Sequence, residues 1–473
     1  MPAQVKSSNK MKRSGKRVMN KPCFLLPLVL LAACAEYQSY TPAPIDIEQT
    51  TRDYRNKDVN APAIKKWLQE HNQDVSVWPF VRWDIEKLVL VGYFYDPDLK
   101  VQSAKVTLAE AAEITAGQKP NPSIEMSSEH HSDQSGDISP WTFGSIFNWV
   151  YEKPEKRQTR IDYAKARIEV ARLKEFEVKW QIRQRIMDSY LDIITAIQKK
   201  KMLMAEKEVL QEELNVLERS LELGQSSDFE ISSIRLEIQR LMLSLSEVDA
   251  DQIRARSKLA LAVGLSADGL DKIDLNVNAF SQLPKLKSID LDLDLLQTRA
   301  LIERPDLLGA LSEYVVAEAD LHREIEKQYP DITLSPGFIF DQGDNIWTLA
   351  SSWVLPINSH NEGPIAEAEA RREVKAKEFM AFQTVVLGQV HEARIRYQSA
   401  LSTLQEADTL ISDLRERGEK IQKQYDLGYT DRLTVLRSQL EILKAQRSGY
   451  LLKMNAWREF IAMENASMRR LIN

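Results

Sequence analysis

The sequence predicts a mostly α chain with a small β part, internally duplicated, whose four short strands close into a twelve-stranded barrel only when three copies assemble. Three observations carry this expectation. The same punctuation occurs twice in one order. Two helical patterns run far beyond ordinary globular length. Four segments of about ten residues, rich in aromatic and β-branched side chains, are bounded by turn formers.

The duplication is read from three pairs of markers. "YDPDL" (95–99) returns as "ERPDL" (303–307), "NPSIEMS" (121–127) as "YPDITLS" (329–335), and "LELGQSSDFEISSIRLEI" (221–238) as "YDLGYTDRLTVLRSQLEI" (425–442). Pro97 to Pro122 and Pro305 to Pro330 are both 25 residues, and Pro122 to Gly224 is 102 against 98 for Pro330 to Gly428. Such spacing marks two copies of one supersecondary unit. It divides the chain into a leader (1–33), an N-terminal segment (34–94), a first repeat (95–267), a linker (268–302) and a second repeat (303–473).

Each repeat reads as short helix, two strands, very long helix, glycine interruption and returning helix. "PSIEMSSEH", "WTFGSIFNWVYE", "PDITLSPGFIF" and "WTLASSWVLPI" are the strands. From Glu155 to Leu223 there is no proline or glycine. That is a helix of roughly 100 Å, long enough to require coiled-coil packing. Apolar residues step by three and four through Ile182, Ile186, Tyr190 and Ile193, then through Leu210, Leu214 and Leu217. The stripe continues past each glycine, so Gly224 and Gly428 sit at the tips of antiparallel hairpins. Ser226, Ser227 or Asp228 can cap the returning helix at the first tip, and Thr430 or Asp431 at the second. Four strands from one chain leave open edges, which in lipid cost several kcal/mol per unpaired group, and assembly of three copies removes them.

The first 33 residues carry seven basic side chains and no acidic one. They lead into "CFLLPLVLLAAC", too short for a spanning helix and shaped like a secretory signal. Leu31-Ala32-Ala33-Cys34 resembles a bacterial lipobox, which makes Cys34 the acylated first residue; an ordinary signal peptide is the alternative. Ala35 after the cysteine suggests sorting to the outer membrane. Without the leader, 56 basic residues face 69 acidic ones, which leaves no electrostatic footprint for nucleic acid. The only other cysteine, Cys23, falls in the leader, so no disulfide is expected. "EHHSD" (Glu129, His130, His131, Asp133) puts adjacent histidines on opposite strand faces, so it reads as a strand end and not as a metal site. No catalytic triad, phosphate loop or CxxC is present, so no enzyme, cofactor or metal is expected.

These motifs, with "LPINSHNEGPIAEAEARR" and "RQTRIDYAKARIEVARL" beside them, resemble the TolC-type outer-membrane efflux proteins over nearly the whole chain after the leader. The resemblance implies a homotrimeric channel-tunnel: a twelve-stranded barrel in outer-membrane lipid, continued by a periplasmic coiled-coil α-barrel. It implies a passive exit duct working with a periplasmic adaptor and an inner-membrane pump. "PEKRQTR" and "ERPDL" resemble members serving heavy-metal efflux pumps of the RND type (resistance, nodulation, division), with drug efflux left open. Type I protein secretion is the alternative, and a periplasmic coiled-coil adaptor a more distant one. Adaptor docking would fall on Leu223, Gly224, Gln225, Leu427, Gly428 and Tyr429. Of the gate positions, Glu230 falls on the acidic one and Tyr425 on the tyrosine. Thr430 occupies the basic one, with Arg432 nearby, and Arg437 replaces an acidic ring residue.

Overall fold

A computed structural model describes residues 39–132, 138–284, 286 and 291–471. Cys23, Cys34, Asp133 and the leader lie outside them. Residues 53–473 form one compact unit and the residues before them another. The elements are α1 (Ile47–Arg55), α2 (Pro62–Glu70), α3 (Ile85–Tyr95), α4 (Pro97–Ala116), β1 (Ser123–His130), β2 (Trp141–Tyr151), α5 (Pro154–Glu222), α6 (Asp228–Val263), α7 (Ala267–Asp271), α8 (Leu293–Glu303), α9 (Pro305–Glu326), β3 (Ile332–Asp341), β4 (Asp344–Trp353), α10 (Glu362–Asp426) and α11 (Arg432–Ser467). None of the described helices is long and apolar enough to cross a membrane.

The mostly helical chain with one small antiparallel sheet matches the expected class. α5 has 69 residues and α10 has 65; each folds back on its returning helix, α6 or α11. The stepped apolar residues face inward: Leu210, Leu217 and Val248 are fully buried, with Ile231, Ile238 and Leu241 around them in one cluster along the first hairpin. The second hairpin is drawn tight by reciprocal pairs, with Gly418 under Ile442 and Gly449 under Ile411. A methyl group at either glycine would meet the isoleucine tip within 2.7 Å.

The largest core lies partway along the long helices, where α2, α3, α5, α6, α8, α10 and α11 converge on residues such as Ile186, Tyr190, Val263, Tyr397 and Phe460. Trp83 is fully buried there and pairs in parallel with Leu275, far away in sequence. Tyr190 donates its hydroxyl to the Trp83 and Asn276 carbonyls at 3.2 and 3.1 Å, and burial raises its pKa. The first hairpin ends at Gly264, whose φ of +79° is left-handed. Lys57 donates to the Gly264 and Tyr95 carbonyls, at 2.9 and 3.3 Å, and locks the start of the unit onto this junction.

The sheet is a meander in the order β1-β2-β3-β4. One strand departs from expectation. β4 begins at Asp344, earlier than Trp347, because Gln342 and Gly343 both have positive φ and form a tight hairpin pairing Asp341 with Asp344. β4 therefore ends at Trp353, and Pro356, which has no N–H to give a ladder, follows outside it.

Gly264→Ala tests the junction. Its Cβ would lie 3.2 Å from Tyr95 backbone atoms, and the left-handed backbone adds strain of order 1–3 kcal/mol. A clear fall in Tm by circular dichroism is expected. Gly224→Ala, with nothing within 4 Å of the new methyl, should lower Tm less.

Candidate functional site

Two regions carry the surface chemistry, and strand register defines the first. Residues directly opposite in an antiparallel ladder share a face. The pairs Ile124–Phe147, His130–Trp141, Phe143–Phe340, Trp149–Leu334 and Phe338–Trp347 therefore put aromatic and aliphatic side chains on one side of the sheet. The opposite side holds Ser123, Glu125, Ser127, Thr142, Asn148, Ser335, Asp341 and Thr348, with Ile146, Val150, Ile339 and Ile346 among them. These polar residues bond across strands: Thr142 Oγ1 donates to Asp341 Oδ1 at 2.6 Å, and Ser335 Oγ to Asn148 Oδ1 at 2.7 Å. Exposure of the apolar side is high, 81% at Trp347 and 78% at Leu349. Trp141 and Trp149 stand eight residues apart on β2, a rise of about 26 Å, comparable to the ~25 Å apolar band of a transmembrane barrel. β1 and β4 are both edges. His130 packs edge-on against Trp141 at 4.6 Å, and His131 Nε2 lies 3.1 Å from Thr142 Oγ1.

The hairpin tips are the second region, and they are built alike. At the first, Gly224 (φ +72°) follows Leu223, and its N–H donates to the Leu221 carbonyl at 2.9 Å while Gln225 donates to Ser220 at 2.8 Å. At the second, Gly428 (φ +78°) donates to Tyr425 at 2.9 Å and Tyr429 to Gln424 at 2.8 Å. This pair of hydrogen bonds closes a helix over a left-handed residue, a conformation that glycine adopts without strain. Of the candidate caps, Ser227 and Asp431 are used, each three residues past its glycine. Leu223, Leu427 and Tyr429 are exposed by 71–81%, and Phe229, which periodicity did not single out, by 80%.

Glu230 closes a capping box: its N–H meets Ser227 Oγ at 3.3 Å, and its Oε2 accepts from the Ser227 N–H and from Ser226 Oγ. Arg437 reaches it at 4.0 Å. The stronger partner of Arg437 is Glu213, 2.9 Å from its Nε, and this contact raises the pKa of the guanidinium. Arg432 pairs with Glu212 at 3.0 Å. Tyr425 is 37% exposed, and Thr430 lies between the tip glycine and the cap.

These contacts begin a ladder that continues away from the tips. As α11 runs on, α5 runs back past it: Arg437 meets Glu213, Arg447 meets Glu206 at 2.6 Å, Arg458 meets Asp192 at 2.8 Å, and Glu464 meets Arg183 at 3.0 Å. Glu206, Glu213 and Glu464 are buried to 1–2% exposure. Glu206, Glu212 and Glu213 were not among the sequence candidates. The signal was a basic series on α11 opposed in falling order by an acidic series on α5.

No protein-family model matches the sequence. The chain is 21% identical over 438 residues to the pyoverdine export outer membrane protein OpmQ of Pseudomonas putida, covering 85% of this chain and 90% of that one. It is 22% identical over 228 residues to the cobalt-zinc-cadmium resistance protein CzcC of Cupriavidus metallidurans, a match to 48% of this chain and about half (53%) of that protein. Among solved structures, the outer membrane protein VceC of Vibrio cholerae superposes with a TM-score of 0.66 at 16% identity, covering 87% of this chain and 100% of that one.

Two outcomes follow at the tips. Arg437→Ala strands a buried carboxylate; breaking a buried pair costs 3–5 kcal/mol, and the half-exposed arginine reduces this to about 1–2 kcal/mol. Tm should fall, and Arg437→Ala combined with Glu213→Leu should recover most of the loss. The backbone N–H of Thr434, 2.7 Å away, holds the Asp431 carboxyl below its ordinary pKa. A depressed carboxyl stabilises the fold above its unfolded pKa of about 3.9, and the effect is lost as pH falls through the lower folded value. The Tm deficit of Asp431→Ala should be full at neutral pH and shrink below about pH 4.

Proposed function

We propose that this chain, which has the fold of the TolC-type outer-membrane channels, is the outer-membrane channel of a tripartite efflux system, a passive duct and not an enzyme. The observation that carries the reading is the sheet: apolar and aromatic on one face, with all the polar cross-strand bonds on the other, and open at both edges, a combination that suits a barrel wall shared among copies. Three copies supply twelve strands, and six hairpins continue them as a periplasmic tunnel.

The exposed Leu223, Gln225, Leu427 and Tyr429 around Gly224 and Gly428 are the docking surface for a periplasmic adaptor, which couples the duct to an inner-membrane pump of RND type. CzcC is named for cobalt-zinc-cadmium resistance and OpmQ for pyoverdine export. The names of these relatives point to unlike substrates, and in this reading selection of cargo belongs to the pump. The entrance is held by Glu230, Tyr425, Arg432 and Arg437, with Thr430 in place of a further basic partner. Cys34 carries the lipid anchor.

Detergent-extracted protein should have the mass of a trimer and conduct ions in planar bilayers. Tyr425→Ala, alone or with Glu230→Ala, should raise single-channel conductance; unchanged conductance in both removes these residues from the gate. A detergent-free soluble monomer rules out the channel. Cys34→Ser should abolish incorporation of labelled palmitate.

A further inference from the structure

The strands carry no cation. Between Lys119 and Lys153, and again between Lys327 and Arg371, the sequence contains no lysine or arginine. Basic side chains gather instead at the margin where the sheet meets the helices: Lys119, Lys153, Lys156, Arg157, Arg160 and Lys327. Four of them are spent on carboxylates of the chain itself. Lys153 bonds Glu326 at 2.9 Å, Lys156 bonds Asp331 at 2.8 Å, Lys327 bonds Glu324 at 2.7 Å, and the Arg160 guanidinium takes both oxygens of Glu152. Among the described residues, Lys119 and Arg157 have no carboxylate within 4.0 Å.

These two cations meet at one place. A cavity of about 250 Å³ between the end of β2 and the first turn of α5 is lined by Lys119, Trp149, Tyr151, Glu152, Pro154 and Arg157. Trp149 and Tyr151 are both exposed and meet edge-on, with ring centroids 6.3 Å apart. Farther up the same face, Phe147 and Ile124 are paired across β2 and β1 and exposed as well. Free positive charge, then aromatic rings, then an apolar path follow one another from the helices into the sheet. A phospholipid has its parts in the same order: phosphate, glycerol esters, acyl chains.

The second repeat shows that the fold does not require this arrangement. With Pro122 aligned on Pro330 and Pro154 on Pro364, Lys119 corresponds to Lys327, which Glu324 neutralises. Arg157 corresponds to Glu367, which pairs with Arg371 at 3.4 Å. The same strand-to-helix passage is thus built once with two free cations and once with none.

We propose that this cavity binds the phosphate of an anionic glycerophospholipid, one molecule per chain. Lys119 and Arg157 bond the phosphate oxygens, for which the planar guanidinium offers two parallel donors. Trp149 and Tyr151 lie against the glycerol esters, and an acyl chain runs along Phe147 and Ile124. Charge selects a glycerol headgroup over ethanolamine. Glu152, the one carboxylate lining the cavity, is already bonded to Arg160, so an ammonium would meet two cations and no counter-ion.

This inference rests on the channel reading, which places the apolar face in lipid, and the experiment separates the two. Full-length protein is stripped of lipid in detergent and titrated with phosphatidylglycerol or phosphatidylethanolamine, and bound lipid is counted by native mass spectrometry. The protein should retain one phosphatidylglycerol per chain, held about tenfold tighter than phosphatidylethanolamine. Excess inorganic phosphate should not displace it. Lys119→Gln with Arg157→Gln should weaken the binding about tenfold. Lys201→Gln with Lys423→Gln, which removes equal charge from exposed positions on the long helices, should leave it unchanged. Equal loss in both variants, or loss in neither, overturns the site. A preference for phosphatidylethanolamine overturns the headgroup assignment, and displacement by phosphate assigns the cavity to a free anion; both arms use the unaltered protein and need no variant to fold. Protein of trimer mass that conducts ions yet holds no phosphatidylglycerol overturns this inference and leaves the channel standing. A soluble monomer that needs no detergent overturns both.

Discussion

Everything in this molecule is subordinate to one constraint: a strand edge cannot be left unpaired in lipid. Four strands in a meander leave the outer side of β1 and the outer side of β4 without partners. In water an edge of this kind is an aggregation hazard; in hydrocarbon it is a deficit of several kcal/mol per group. The amphipathic register makes lipid the natural surroundings of one face and water of the other. In the proposed assembly a second copy supplies the partner of each edge, and each repeat contributes two of the four strands that one copy brings to the wall.

Below the sheet a different problem arises, because long hairpins joined only by apolar stripes could slide past one another. The ladder between α5 and α11 fixes their register. Three of its four acidic members, Glu206, Glu213 and Glu464, are almost fully buried, and all four, Asp192 included, are answered by an arginine. A shift of one turn would leave several carboxylates buried without partners, a larger penalty than the pairs are worth as stabilisers. The ladder reads better as a specification of alignment than as a source of stability. It also brings Arg437 within reach of both Glu213 and Glu230, so the tip of one hairpin is tied to the other through one guanidinium.

Much of the architecture was legible because its signals are local. A lone Gly followed three residues later by Ser227 or Asp431 announces a left-handed cap and a new helix, and alternation of aromatics announces a two-sided strand. What stayed hidden depended on distant partners. Trp83 reads as one more aromatic until Leu275 is seen beside it. Glu213 looks like a solvated charge on a helix whose apolar stripe already accounts for its periodicity, and only the approach of α11 buries it. Glu230 falls on the acidic gate position that the family resemblance implies, yet its oxygens also serve the capping box, a use that the Ser227 spacing could have revealed. The start of β4 was missed because Gln342 is an unusual residue at positive φ, and the turn depends on Gly343 beside it.

The two tips share a backbone but not their side chains. Both end in the same left-handed closure and begin the next helix three residues later, yet one offers Gln225, Phe229 and Glu230 where the other offers Tyr429, Leu433 and Thr434. A ring of three chains would display six ends identical in contour and alternating in chemistry. A partner that reads contour alone would find six equivalent seats, and one that reads side chains would find two sets of three. The stoichiometry of whatever docks there is thus written in how far the two halves of the duplicated gene have drifted apart.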